Sequence, residues 1–166
     1  MEVYLIRHGI AAERGTYVDD EQRPLTEKGL MRTTEVAKQL QELGLKFDLM
    51  LTSPLVRASQ TAKIFRKVGL VKKENLQTFI PLKPDGRVEQ WLEWLRSHQS
   101  ENPNSKLALV GHQPDLGNWA EMLIWGTIKG QIAVKKAGIV GIEIPDLGTP
   151  ISRSTLFLLV SPKWII

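Results

Sequence analysis

Two short runs of this chain carry no charged residue, and each ends where a histidine and a glycine meet. Val3-Tyr4-Leu5-Ile6 leads into Arg7-His8-Gly9, and Leu107-Ala108-Leu109-Val110 leads into Gly111-His112. A run of strand-forming residues that is apolar on both faces fits a strand buried on both sides, as in a parallel sheet sandwiched between helices. In an open sheet of that kind ligands bind beyond the carboxyl ends of the strands. Arg7, His8 and His112 are therefore expected at that edge.

The intervening chain alternates helical and strand patterns. Ile10 to Pro24 is polar, carries Glu13, Asp19, Asp20 and Glu21, and reads as a loop over the mouth of the sheet. Thr26 is placed to cap a helix whose apolar stripe is Leu30, Thr33, Ala37 and Leu40, widened by Val36 and Leu43 and stopped by Gly44. Phe47 to Leu51 reads as a second strand. Ser53 and Pro54 then resemble an N-cap and a first helical residue, followed by a core stripe of Leu55, Ala58, Ala62 and Phe65 that ends near Gly69. Arg57 stands outside that stripe, in the first turn, where the helix dipole disfavours a cation; the position asks for an anion.

Leu76 to Ile80 reads as a third strand, and Val88, Trp91, Leu92 and Leu95 as the buried face of a further helix. His98, at the polar end of that helix, is given no role. Pro114 and Asp115 open a helix with Leu116, Trp119, Ala120 and Leu123 inward and Gly126 at its end. Ala137 to Ile144 and Thr155 to Val160 read as an antiparallel pair at one edge of the sheet. The apolar tail Trp164-Ile165-Ile166 needs a groove or a partner to cover it.

The chain's 166 residues, 42% of them hydrophobic and 24% charged, fit one domain spanning 1–166. No leader-like segment or membrane-length apolar run is evident, so a cytoplasmic protein without a membrane partner is expected. The absence of cysteine excludes disulfides and thiolate chemistry. A net charge of +4 favours acidic or phosphorylated partners by steering. The doublets Lys72-Lys73 and Lys135-Lys136 lack interleaved aromatics and read as solvated faces, not a nucleic-acid site.

Arg7, His8, Arg57 and His112 come from three strand-to-helix junctions that a parallel sheet brings to one edge. Such a cluster is self-repulsive unless an anion sits at its centre. A phosphoryl group is the natural ligand.

With those positions set out, a resemblance is evident. Leu5-Ile6-Arg7-His8-Gly9, Arg23-Pro24-Leu25-Thr26 with Gly29, the run Thr52-Ser53-Pro54-Leu55-Val56-Arg57-Ala58-Ser59-Gln60-Thr61-Ala62, and Val110-Gly111-His112 resemble, in order, the motifs of the histidine phosphatase superfamily, also called phosphoglycerate-mutase-like. The resemblance implies a three-layer α/β/α sandwich with a mostly parallel sheet. It also implies a phosphohistidine intermediate on His8, with Arg7, Arg57 and His112 binding the phosphate. Neutral imidazole can attack phosphorus in line and divide one hard displacement into two easier ones. That chemistry needs no metal or other cofactor, and the sequence offers no three-ligand cluster for one.

Departures from the superfamily pattern narrow the subgroup. Gln113 stands where acid-phosphatase members carry an acidic residue, and no long insertion follows the Arg57 helix to supply a glutamate. The compact length and the Leu82-to-Gly86 stretch are similar to the SixA-type phosphohistidine phosphatases. The resemblance thus implies a phosphohistidine-bearing protein as substrate, with a small phosphomonoester or sugar phosphate as the alternative and a non-catalytic phosphate-binding module as a third. Glu13, Asp19, Asp20 and Glu21 are the available proton donors, should one be needed. Arg32-Thr33 replaces a customary Gln-Ala and is expected to alter packing only. Oligomeric state is left open.

Overall fold

The computed structural model describes residues 1–166. Its sheet has six strands: β1 (Glu2–Arg7), β2 (Leu49–Thr52), β3 (Leu76–Thr78), β4 (Lys106–Gly111), β5 (Ile139–Glu143) and β6 (Thr155–Val160), in the spatial order β3-β2-β4-β1-β5-β6. The pairs β3/β2, β2/β4 and β4/β1 are parallel, and β5 and β6 add an antiparallel edge. Alternation along each strand divides the core. Val3 and Leu5 of β1 join Leu107 and Leu109 of β4 beneath helices α3 (Val88–Glu101) and α4 (Asp115–Trp125), where Trp91, Leu95, Trp119 and Leu123 are buried. Tyr4 and Ile6 join Ala108 and Val110 on the other face, beneath α1 (Glu27–Glu42) and α2 (Val56–Val68). The result is a three-layer α/β/α sandwich.

Register sets the functional edge. Arg7 lies opposite Gly111, and Val110 opposite Thr52, so the carboxyl ends of β1, β4 and β2 are level. Two backbone bonds extend the alignment beyond the strands: His8 N–H donates to the Gly111 carbonyl at 3.1 Å, and Ser53 N–H to that of Val110 at 2.9 Å. His8, Ser53 and His112 therefore follow neighbouring strand ends.

Several local expectations need correction. Helix α2 begins at Val56 with Leu55 as its N-cap, and Ser53-Pro54 belongs to the preceding loop. The Ser53 hydroxyl accepts from Leu55 N–H at 3.3 Å and faces His112, so long-range pairing displaces the local cap. In α1, Thr26 caps as expected, but Leu30 and Leu43 are 40% and 72% exposed while Gly29 and Thr33 turn inward. The cause is a close approach: a Cβ on Gly29 would lie 1.9 Å from the Ile10 carbonyl oxygen. Strand β3 stops at Thr78, and an exposed Ile80 opens a single-turn 3-10 segment, Ile80–Leu82, that buries Leu82. In the tail, Ile165 packs against the α1/α2 core while Trp164 remains exposed. No helix is long and apolar enough to cross a membrane.

Gly29 holds α1 against the loop that leaves His8, because Thr26 N–H also donates to the Ile10 carbonyl at 2.9 Å. Gly29→Ala is expected to lower unfolding free energy by roughly 1–3 kcal/mol, the usual cost of forced overpacking, read as a lower urea midpoint at unchanged slope.

Candidate active site

A cavity of about 550 Å³ opens at the carboxyl edge of the sheet. Arg7, His8, Arg57 and His112 all line it, and the rings of His8 and His112 are 5.2 Å apart between centroids. His8 is 7% exposed, His112 4% and Arg57 2%.

Each side chain is held by identifiable partners. His8 Nδ1 lies 2.7 Å from the Gly9 carbonyl oxygen, which can only accept. That bond assigns the proton to Nδ1 and leaves Nε2 with a free lone pair. Gly9 N–H donates to Thr61 Oγ1, whose hydroxyl donates to the Arg57 carbonyl, so the turn after His8 is tied to the first turns of α2. Ser53 Oγ stands 2.8 Å from His112 Nε2. The Ser53 hydroxyl has one proton and two lone pairs, one of them taken by Leu55 N–H, so it can donate to Nε2; in that tautomer the neutral His112 carries its proton on Nδ1. By sequence Ser53 reads only as a helix cap; its pairing with His112 has no local signal.

The arginines are oriented by carbonyls and one carboxylate. Arg7 Nη1 donates to the Val134 carbonyl at 2.9 Å. Arg57 donates to the Asp20 carbonyl at 2.8 Å and to its carboxylate at 3.2 Å. Arg23 donates to the same carboxylate at 2.7 Å and to the Ala12 carbonyl. Asp20 thus spans two arginines, and hydrogen bonding from Arg23, followed by the charge of Arg57, holds its carboxyl below the usual range. Among the other loop acids, Glu13 lines the cavity, Asp19 caps the turn Asp20–Gln22 by accepting from Glu21 N–H, and Glu21 pairs with Lys83. Asp85 and Asp115 also line the wall, and burial pushes the Asp115 carboxyl up. Asp115 stands at the same strand-to-helix junction as His112 and could have been found from that position. Asp85 lies in a bend with no comparable signal.

Three buried nitrogens at the site, Arg7 Nε, Arg57 Nε and His112 Nδ1, have no protein partner. Buried polar groups left unpaired are costly and uncommon; all three belong to residues that line the cavity, whose cationic groups suit an anion with several oxygens. No three His, Cys, Asp or Glu side chains gather closely enough to hold a metal ion.

Burial pushes the pKa of His8 down to about 3, reinforced by His112, Arg57 and Arg7. His112 is also pushed down to about 3, by burial and then by Arg57 and Arg7. Both rings are neutral at pH 7, which preserves the His8 lone pair. Between about 6.5, the ordinary imidazole value, and about 3, the unfolded chain binds protons that the native state refuses. Stability is complete above that window and lost as pH falls through it. Lowering pH from 7 to 5 should cost roughly 2 kcal/mol for each histidine. His112→Gln should remove about half of that slope, measured by urea unfolding at several pH values.

The profile of the histidine phosphatase superfamily (branch 1) matches residues 3–79, a span containing Arg7, His8 and Arg57. An uncharacterized protein of Picosynechococcus sp. is 47% identical over 167 residues, covering 100% of this chain and 99% of that protein. The mitochondrial serine/threonine-protein phosphatase Pgam5 of Drosophila mojavensis is 34% identical over 95 residues, which span 51% of this chain and 33% of the relative. Among solved structures, the protein histidine phosphatase SixA complexed with tungstate superposes with a TM-score of 0.85 at 22% identity, over 100% of both chains. The chain belongs to the histidine phosphatase superfamily.

Proposed function

We propose that this chain acts as a single-domain phosphohistidine phosphatase, transferring the phosphoryl group of a protein phosphohistidine to His8 and then to water. One observation carries the reading: the Nδ1 bond of His8 to the Gly9 carbonyl leaves Nε2 as a neutral nucleophile in a cavity shared with two arginines and a second histidine. In the first step the Nε2 lone pair forms a bond to phosphorus as the bond to the substrate imidazole breaks. A leaving imidazole protonated on its far nitrogen departs neutral and needs no further proton. Arg7 and Arg57 would neutralise the equatorial oxygens, and His112 would donate from Nδ1 to the moving group. In the second step water attacks phosphorus, its proton leaves with the phosphate, and His8 recovers its lone pair.

An imidazole leaving group asks less of the acidic side chains than an alkoxide does. An alkoxide takes a proton from a general acid as it leaves; Asp20 is committed as a carboxylate to two arginines and Glu21 to Lys83, which leaves Glu13, Asp85 and Asp115 on the cavity wall to supply one, whereas a protonated imidazole needs none. The superposition with SixA over its whole length is consistent with that preference.

Rapid-quench experiments with a phosphate-labelled phosphohistidine protein should trap label on His8. No label in the wild type, or undiminished turnover in His8→Ala, would defeat the covalent mechanism; the expected loss is at least about a thousandfold in kcat. Arg57→Ala should cost on the order of 10²–10³ in kcat, the usual effect of removing one preorganised charge donor. A kcat/KM on p-nitrophenyl phosphate exceeding that on phosphohistidine protein would favour the small-ester reading.

A further inference from the structure

A second groove, of about 480 Å³, adjoins the active-site cavity and shares Arg7 and Lys136 with it. Arg32 of α1, Lys135 and Lys136 from the segment before β5, and Lys163 from the turn after β6 line this groove, and no Asp or Glu does. None of these four side chains is ion-paired to a carboxylate. The three lysines are exposed and Arg32 is half-buried. The Lys135-Lys136 doublet is solvated, as the sequence suggests, and also lines this groove.

The doublet is also fixed in place. Ala137 N–H donates to the carbonyls of both Arg7 and His8 at 3.1 Å, Arg7 N–H donates to Gly138, and Gly138 N–H donates back to Lys135. Ala137 closes this turn at φ 58°, the left-handed region that costs a residue with a Cβ about 1 kcal/mol or more. The backbone of the catalytic strand thus carries two lysines on its own rim. Across the mouth the wall is of opposite sign, with Asp85 and Asp115.

We propose that this groove receives an acidic segment of the protein that presents the phosphorylated residue, lying on the β5/β6 side of the phosphate pocket. The proposal rests on a protein-borne substrate, as argued above. Charge and exposure favour such an occupant: one exposed cation gains little from a single small anion, whereas several cations spread over three elements act together on an extended acidic surface. The acidic rim opposite repels the same segment and fixes its direction across the mouth.

The test uses two peptides with a central phosphonate-bearing triazolylalanine, a non-hydrolysable phosphohistidine mimic, one flanked by Glu and Asp and the other by Gln and Asn. Fluorescence anisotropy with the whole protein should show the acidic peptide bound about tenfold tighter at low salt. That advantage should vanish between about 0.05 M and about 0.5 M salt. It should also vanish in a variant combining Arg32→Glu, Lys135→Glu and Lys163→Glu, while turnover of p-nitrophenyl phosphate stays within about twofold. Should that variant not fold, the Gln substitutions at the same positions and the salt series on wild type decide the matter. No acidic-flank advantage in the wild type, or one that survives both charge removal and salt, overturns the groove. Turnover is followed separately: an acidic advantage with hydrolysis of phosphoesters but not phosphohistidine retains the groove and removes the proposed leaving group.

Discussion

Bringing two arginines and two histidines to one largely buried cavity is the constraint on which the rest of the structure depends. Four charged groups there would repel one another at low dielectric. The histidines answer by remaining neutral, since burial and the neighbouring cations hold both near pKa 3. The arginines cannot, so each is given oxygen. The Val134, Asp20 and Ala12 carbonyls and the Asp20 carboxylate accept from Arg7, Arg57 and Arg23. Arg7 Nε, Arg57 Nε and His112 Nδ1 still lack protein partners. Each unpaired buried group costs about 1–3 kcal/mol. Three nitrogens on cavity-lining residues thus retain hydrogen-bonding capacity that no protein group uses.

The site also sits at the ends of interior strands, away from the sheet's edges. β1 is flanked on both sides, by β4 in parallel and β5 antiparallel, and Arg7 and His8 continue its hydrogen bonding to Gly111 and Gly138. A nucleophile positioned by backbone bonds needs little reorganisation on the way to the transition state. Charge of the opposite sign enters from a loop. Asp20 lies on a single 3-10 turn that reaches Arg57 from outside the sheet.

β1, β2, β4 and β5 are legible because burial on both faces leaves nearly continuous apolar runs, and the level ends of β1 and β4 follow from their parallel pairing. The gathering of Arg7, His8, Arg57 and His112 at one cavity is legible for a related reason: Arg7 ends β1, His8 and His112 directly follow strand ends, and Arg57 lies in the first turn of the helix after β2. What escaped the local pattern was whatever depended on a distant partner. Ser53 looked like a helix cap because its use by His112 lies fifty-nine residues away. Leu30 looked inward because periodicity cannot register that Gly29 must meet the Ile10 backbone. The segment from Lys129 to Lys136 has no regular structure and no periodicity, yet it supplies the Val134 carbonyl to Arg7 and two lysines to the rim.

That irregular segment also accounts for Gln113. The buried Glu121 accepts from the N–H groups of Lys129, Gly130, Gln131 and Ile132, anchoring the first half of the loop. Gln113 anchors the second half: Nε2 donates to the Ile132 carbonyl at 3.0 Å, and Oε1 accepts from Val134 N–H at 3.2 Å. The residue so fixed, Val134, is the one whose carbonyl orients Arg7. An acidic residue at position 113, as in acid-phosphatase members, could accept from Val134, but as a carboxylate it would face the Ile132 carbonyl with no proton to donate. The amide satisfies both neighbours because it carries a donor and an acceptor on one side chain. Position 113 therefore serves to hold the carbonyl that orients Arg7 and offers no carboxyl proton.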